Sequence, residues 1–317
     1  YVDALEYPIL GDSNAIITQF AAGNLATAGV PSDLVDAVLS QTPNARVEKF
    51  LRATLSLLFF SPNEDLWRDE RVRRAMSMAI DRDTLNNAMS RDGGEWQNVI
   101  PAGMGTRWWL DPKSSEMGDA AQWYQYNPEE AKRLLAEAGF PDGFRAPMHY
   151  SANIYSTVVR YYDPVAQALP AMLRGIRVTV DQVAEDYISQ YFPNTFLKGP
   201  ADGFAWGLES TYSDVAQYVT NMYLPRDQGG GRNHSNIQDP TLVSMVRDLI
   251  QELDAEEFQK KLFEIQRYVS DKMYVVPVIA PWEYTARQPW LKGAVNVTGP
   301  TTYAVGTEST MWVWLDR

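Results

Sequence analysis

Glu209 and Asp214 lie close together in the chain, beside Trp206 and Tyr212. Two carboxylates among aromatic rings are what a glycoside hydrolase needs, one as acid and one as base or nucleophile across a sugar. The chain carries 40 Asp and Glu in all, so such a grouping is expected by chance. Polar contacts in a binding cleft are the simpler role. His149 and His234 are the only histidines, and neither stands in an H-E-x-x-H spacing, so no metal ligands are assigned. His149, within Met148-His149-Tyr150, reads as a hydrogen-bonded strand histidine. No G-x-S-x-G, G-x-G-x-x-G or P-loop occurs, and with no cysteine there is no thiol nucleophile, thiolate site or disulfide. No catalytic residue and no cofactor follow from these types and spacings.

The aromatic residues carry more. Trp108 and Trp109 are adjacent and cannot both face one core from a regular strand, so at least one is expected to line a cleft. Trp206 and Tyr212 offer faces on which a ligand could stack beside a few polar groups. Trp67, Trp290, Trp312 and Trp314 are expected in the core. Arg232 and Asn233, directly after the glycine-rich stretch 228–231, are further cleft candidates, and that stretch reads as a mobile loop. Arg71, Arg73 and Arg74 fall on the first turns of a helix and are expected to be solvated or paired with Asp65, Asp69 or Glu70.

Helices and strands must hold these groups in place. Ser13, Asp69, Asn127, Asp163, Asp239 and Asp254 each precede apolar residues at helical spacing and are expected to open helices. Asn127, Asp163 and Asp239 are each followed by proline, which suits the first helical position. Gly23, Gly139 and Gly175 are placed to end helices. Pro31-Ser32 begins a further helix. Residues 54–60 form a short apolar run that reads as a buried strand, and residues 176–180 alternate as a strand does. Residues 273–280 and 311–315 read as strands, the former at an edge or bulge because of Pro277. Alternating helices and strands imply a layered α/β fold with two lobes. No period of 20–50 residues recurs, which argues against solenoids and propellers.

The 317 residues suffice for about two domains. A net charge of −12 gives no electrostatic case for nucleic acid or an anionic membrane surface. No apolar run approaches the roughly 18 residues of a membrane span. The chain opens on Tyr1, and a processed or cut product is expected.

Several blocks together resemble one family. Phe59-Phe60-Ser61-Pro62 is followed by Leu66-Trp67-Arg68-Asp69-Glu70-Arg71-Val72-Arg73-Arg74-Ala75 and by Ala79-Ile80-Asp81-Arg82. Ile100-Pro101, Tyr126 to Phe140, Asp142-Gly143-Phe144 and Leu173 to Val180 continue the match in order. The pattern resembles the peptide-type, family 5 extracellular solute-binding proteins of ATP-driven (ABC) importers, in their C-terminal portion.

The resemblance implies a periplasmic-binding-protein-like fold of class II, with two lobes of mixed sheets flanked by helices, N-terminally truncated here. Residues 1–55 and 284–317 would be parts of the first lobe, and residues 56–283 the second lobe nearly complete. A signal sequence, a lipid-anchored cysteine, the start of the first lobe and an accessory domain would precede Tyr1. The implied protein is a monomer and not an enzyme. It works outside the cytoplasm, closes two lobes over an oligopeptide or similar solute, and presents it to membrane permease subunits. An oligosaccharide binder of the same fold, a ligand sensor and a secreted glycosidase-like enzyme are the alternatives. In the family, a Trp followed by an Asp pairs with a peptide's α-ammonium. Aligned on Trp206 the equivalent acid is Glu209; aligned on Tyr212 and Asp214 it is Thr211, which carries no charge. The ligand-binding candidates are thus Trp206, Glu209, Thr211, Tyr212, Asp214, Trp108, Trp109, Arg232 and Asn233.

Overall fold

The computed structural model describes residues 6, 8–10, 12–152, 159–212, 214–293 and 314–316. Helix α1 (Ser13–Ala21), strand β1 (Thr27–Val30), helix α2 (Val35–Gln41) and strand β2 (Arg46–Phe50) come first, and β3 (Thr54–Phe60) follows closely. Next are α3 (Glu70–Met78), α4 (Arg82–Met89), β4 (Gly94–Trp96), α5 (Pro128–Glu137), β5 (Phe144–Ala152), α6 (Tyr162–Arg174) and β6 (Val178–Asp186). A π-helical segment, Tyr187–Phe196, leads to β7 (Phe204–Ser210), α7 (Val215–Tyr223), α8 (Pro240–Ile250) and α9 (Ala255–Lys272). The short strands β8 (Val276–Pro277), β9 (Ile279–Pro281), β10 (Glu283–Arg287), β11 (Leu291–Lys292) and β12 (Trp314–Leu315) complete the order.

All seven residues of β3 are buried. A strand side chain alternates between faces, so an unbroken apolar run must be covered on both sides. Leu58 and Phe60 enter one cluster with Val72, Met76, Leu134 and Leu169. Leu55, Leu57 and Phe59 enter another with Tyr218, Val246, Leu262 and Ile265. Helices α3, α5 and α6 therefore cover one face of the sheet, and α7, α8 and α9 the other. The sheet runs β6-β5-β7-β3-β8, with β5 parallel to β6 and β7, and β3 antiparallel to β7 and β8. Pro277, which has no N–H to donate, lies on the edge strand β8, as its residue type demands.

A second sheet, β1-β10-β2, packs α1 and α2 through Ile17, Phe20, Val35 and Val38. The chain passes between the two sheets twice, between Phe50 and Thr54 and again at Trp282. The expected apolar run 273–280 is split between β8 and β9: the β3 pairing reaches Val278, whose N–H donates to Ser56 O at 2.9 Å, and the Ser56 hydroxyl then takes both the N–H and the carbonyl of Ile279.

Most expected helix starts hold. Asp69, Asn127, Asp239 and Asp254 each accept from backbone N–H groups of the following turn. Two differ. Asp12, rather than Ser13, caps α1. Helix α6 begins at Tyr162, ahead of Asp163, because Tyr161 and Tyr162 are both buried and packing sets the start. Among the arginines, Arg71 pairs with Asp69 and Arg74 with Glu70, as expected, and Arg74 also reaches Asp271. Arg73 corrects the expectation: it is buried and donates to the carbonyls of Trp67, Lys272 and Met273, tying α3 to the end of α9. Trp314 is another correction, half exposed on the β11–β12 ribbon, where two short strands have no layer over them among the described residues. Trp67 is buried and Trp290 half-buried, while Trp312 and residues 311–313 lie outside the described residues. The stretch 228–231 ends a short 3-10 turn, with Gly229 in the left-handed region at φ 107°.

His149, on β5, holds Glu185 of β6 through Nδ1 at 2.7 Å and Asp202 through Nε2 at 2.9 Å. Burial opposes charge on the imidazole, but the two carboxylates outweigh it and its pKa is raised. Glu185 is half-buried, which works against its charge, yet His149 and Thr195 hold its pKa below the usual carboxylate range. The histidine's contribution to stability is complete below its unfolded value of about 6.5 and is lost as pH rises through the raised folded value. The Glu185 contribution disappears on the other side, as pH falls through its lowered value. The unfolding free energy from urea titrations should therefore fall as pH rises above about 6.5, and His149→Gln should flatten that slope. An unchanged slope in the variant would show that the histidine is not its source.

Candidate functional site

Strand β7 carries Trp206 and Glu209 three residues apart, so they leave opposite faces of the sheet. Trp206 enters the first cluster and is fully buried. Its ring stacks on Tyr162 at 5.5 Å, its Nε1 donates to Tyr162 O, and its carbonyl accepts from Tyr162 and Tyr191 hydroxyls. The stacking face expected for a ligand is thus already covered by Tyr162, because the layer over β7 needs a large apolar side chain there. Thr211 is also buried, and both its N–H and its hydroxyl donate to Ala53 O, fastening the end of β7 to the crossing segment. Asn233 is fully buried and clamps its loop by donating to Leu224 O and Ile237 O and accepting from Ile237 N.

On the opposite face, Glu209 is only 2% exposed. Its Oε2 meets His234 Nε2 at 2.9 Å, and its Oε1 lies 3.9 Å from Arg232 Nε. His234 Nδ1 contacts Phe196 O at 2.5 Å. A carbonyl only accepts, so Nδ1 carries a hydrogen, and the Nε2–Oε2 contact needs a proton of its own. The imidazole packs on Phe59 and Phe196, and the Arg232 guanidinium lies 5.3 Å and 5.4 Å from the ring centres of Phe192 and Phe196. Burial works against the charge of Arg232, but Glu209, then Tyr212, outweigh it and raise its pKa. Tyr212 itself is half-buried against the second cluster.

A separate grouping forms around Trp108. Its half-buried ring meets Phe258 edge-on, carries the Arg107 guanidinium at 4.7 Å, and lines a cavity of about 380 Å³ with Asp214, Glu252 and Asp254. Asp214 is exposed and caps α7 by accepting from Ala216 N. Trp109 turns inward and is buried, so the adjacent pair divides as expected, one ring to the core and one to a cavity. The structure therefore gathers Glu209, Arg232 and Tyr212, and apart from them Trp108 and Asp214. Trp206, Thr211 and Asn233 serve the frame. Sequence reasoning missed His234 as the partner of Glu209; its place two residues after Arg232, behind the glycines, was the available signal.

Both crossings are pinned where they meet. Arg52 and Glu283 form a two-pronged ion pair, Nε to Oε1 at 2.8 Å and Nη2 to Oε2 at 2.6 Å. Gly103 lies flat against the first crossing, since a Cβ there would come within 2.4 Å of the Arg52 carbonyl. Trp282 N donates to Gly93 O at 3.0 Å at the second.

A mixed sheet between two helical layers, joined by paired crossings to a second sheet, is the architecture of the peptide-binding type of periplasmic binding protein. The ABC transporter-associated periplasmic binding protein DppA of Helicobacter pylori, solved in complex with peptide STSA, has this fold: TM-score 0.73 at 18% identity, covering 97% of this chain and 56% of that one. AgaA of A. tumefaciens, solved with agropinic acid, gives a TM-score of 0.75 at 19% identity, over 97% of this chain and 60% of that one. The chain belongs to the bacterial extracellular solute-binding proteins, family 5, whose middle portion matches residues 1–230. The dipeptide-binding protein DppE of Bacillus subtilis is 30% identical over 299 residues, 93% of this chain and 52% of that protein. The chain spans about half the length of that relative and of others such as the Escherichia coli dipeptide-binding protein, 48% of which is covered. The family is one of solute-binding proteins, not enzymes.

With Trp206 fully buried, Trp206→Ala is expected to act on the fold. The unfolding free energy without any ligand should drop by about 3–5 kcal/mol. Urea unfolding followed by circular dichroism measures it, and an unchanged midpoint would return the ring to the ligand.

Proposed function

We propose that the protein captures a solute outside the cytoplasm by closing two lobes over it, and hands the closed form to the permease of an ABC importer. Residues 1–55 and 284–317 belong to the first lobe in this reading, and residues 56–283 make the second. The observation that carries it is the pair of adjacent crossings between two sheets, each sheet with its own apolar cluster, held together by Arg52 and Glu283. Two short connections side by side allow a hinge, and a ligand favours closure only through contacts it makes with both lobes.

The solute is an oligopeptide or a comparable organic molecule, an oligosaccharide being the alternative. Peptide ligands draw support from the dipeptide-binding relatives and from the complex with peptide STSA. The agropinic acid complex supports a wider range for the fold. The solute meets the second lobe at the end of β7, where Glu209, Tyr212 and Arg232 gather, with Trp108 and Asp214, which line a separate cavity, as further candidates. The family resemblance adds a lipid-anchored N-terminus and a monomeric state to this reading.

Mass spectrometry of small molecules that copurify with the protein should return a discrete solute. Adding that solute back to stripped protein should reduce the radius of gyration in small-angle scattering. A bound solute that leaves the radius unchanged would remove lobe closure. Loss of the crossing pair should be felt in the free protein: Glu283→Gln is expected to cost about 1–3 kcal/mol of unfolding free energy in urea, because Arg52 loses a charged partner. A neutral result would mean that the pair does not hold the crossings.

A further inference from the structure

Arg232 is held in place without being satisfied. Its Nη1 is buried with no hydrogen-bond partner. Its Nε stops 3.9 Å from Glu209, beyond hydrogen-bond reach. Buried polar groups in folded proteins are almost always paired, so a buried guanidinium N–H that is not paired calls for an explanation. Two phenyl rings, Phe192 and Phe196, fix the plane of the group, and the side chain remains 25% exposed. The charged neighbour is already engaged: Glu209 gives its Oε2 to His234 at 2.9 Å. Arg232 keeps a 3.9 Å ion pair to Glu209, and its Nη1 has no hydrogen-bond partner of its own among the described residues. A planar, oriented guanidinium whose Nη1 lacks a partner is suited to a carboxylate, the acceptor that matches its geometry.

We propose that Arg232 is a specificity-determining residue that receives a carboxylate of the solute, so that the solute class is an organic acid, including peptides that offer an acidic group to this end of β7. The inference rests on the reading of this region as solute-facing. It gives the acid of β7 a different use from pairing with a ligand cation: Glu209 orients Arg232 from behind, with His234 keeping the acid in place.

The test needs no knowledge of the natural solute. Thermal unfolding of the protein is followed in sodium acetate and in sodium chloride at equal ionic strength. Acetate, as the bare carboxylate, should raise the midpoint by a few degrees over chloride, as expected for a ligand well above its dissociation constant. Arg232→Gln should abolish the difference, and Arg232→Lys, which keeps the charge but loses the fork, should retain only part of it. An acetate effect that is absent, or equal in wild type and both variants, overturns the proposal. Because the measurement does not depend on lobe closure, it can fail while solute-induced compaction persists, and the reverse. Folding of each variant is checked by its far-ultraviolet spectrum. Should Arg232→Gln not fold, Arg232→Lys alone decides, a full acetate effect in it counting against the proposal.

Discussion

A strand apolar on both faces has no stable place at a surface, and β3 is such a strand. Its seven buried residues require a helical layer on either side, and the remaining elements of the larger unit supply them. β7 is drawn alongside in full register from Thr54↔Ser210 to Phe60↔Phe204, which fixes which β7 side chains enter which layer. Trp206 must then lie in the layer of α6, and Glu209 in the layer of α7, the π-helical segment and the loop of Arg232. The placement of the candidate site is in this sense a consequence of the hydrophobic pattern of residues 54–60.

That pattern is visible in the sequence, as are the capping residues Asp69, Asn127, Asp239 and Asp254, because both are local: period, cap and proline act within a turn or a strand. Where local chemistry competes with packing, the reading goes astray. Asp163-Pro164 carries a helix-start signature, yet the burial of Tyr161 and Tyr162 sets the start ahead of it. Arg73 looks like a surface charge on a helix, but the end of α9 presents carbonyls that only a buried donor can satisfy. The family was legible through its collinear blocks, whereas the site was legible only in part. Glu209, Arg232 and Tyr212 could be named as candidates, but not that His234 would take up one carboxylate oxygen, since that contact spans 25 residues and depends on the fold. Trp206 illustrates the same limit from the other side. Its polar, loop-like neighbours in the chain suggest exposure, and the strand they belong to denies it.

The chemistry of the site follows from how little water reaches it. Glu209 and His234 are almost wholly buried, and the aromatic rings of Phe59, Phe192 and Phe196 line the approach from within. In such surroundings a charge is costly unless neutralised, and a shared proton between acid and imidazole is one way to neutralise it. The same apolar setting strengthens whatever Arg232 meets. By contrast, the acids around Trp108 stand at the surface, where Asp214 is committed to a helix terminus and Glu252 to Lys261.

The crossing segments have a mechanical consequence. Ala53 is fastened to Thr211, and the backbone of Arg52 has Gly103 pressed against it, so β3 and its approach turn as one piece with the larger sheet. Any rotation between the sheets has to be absorbed before Arg52 on one connection and around Trp282 on the other. A bending axis passing there runs close by the Arg52–Glu283 pair. Near an axis, displacement is small however wide the swing at the far ends, so this ion pair sits on a short lever arm. In the proposed closure it can stay intact from end to end of the movement, acting as the pin of the joint rather than as its latch.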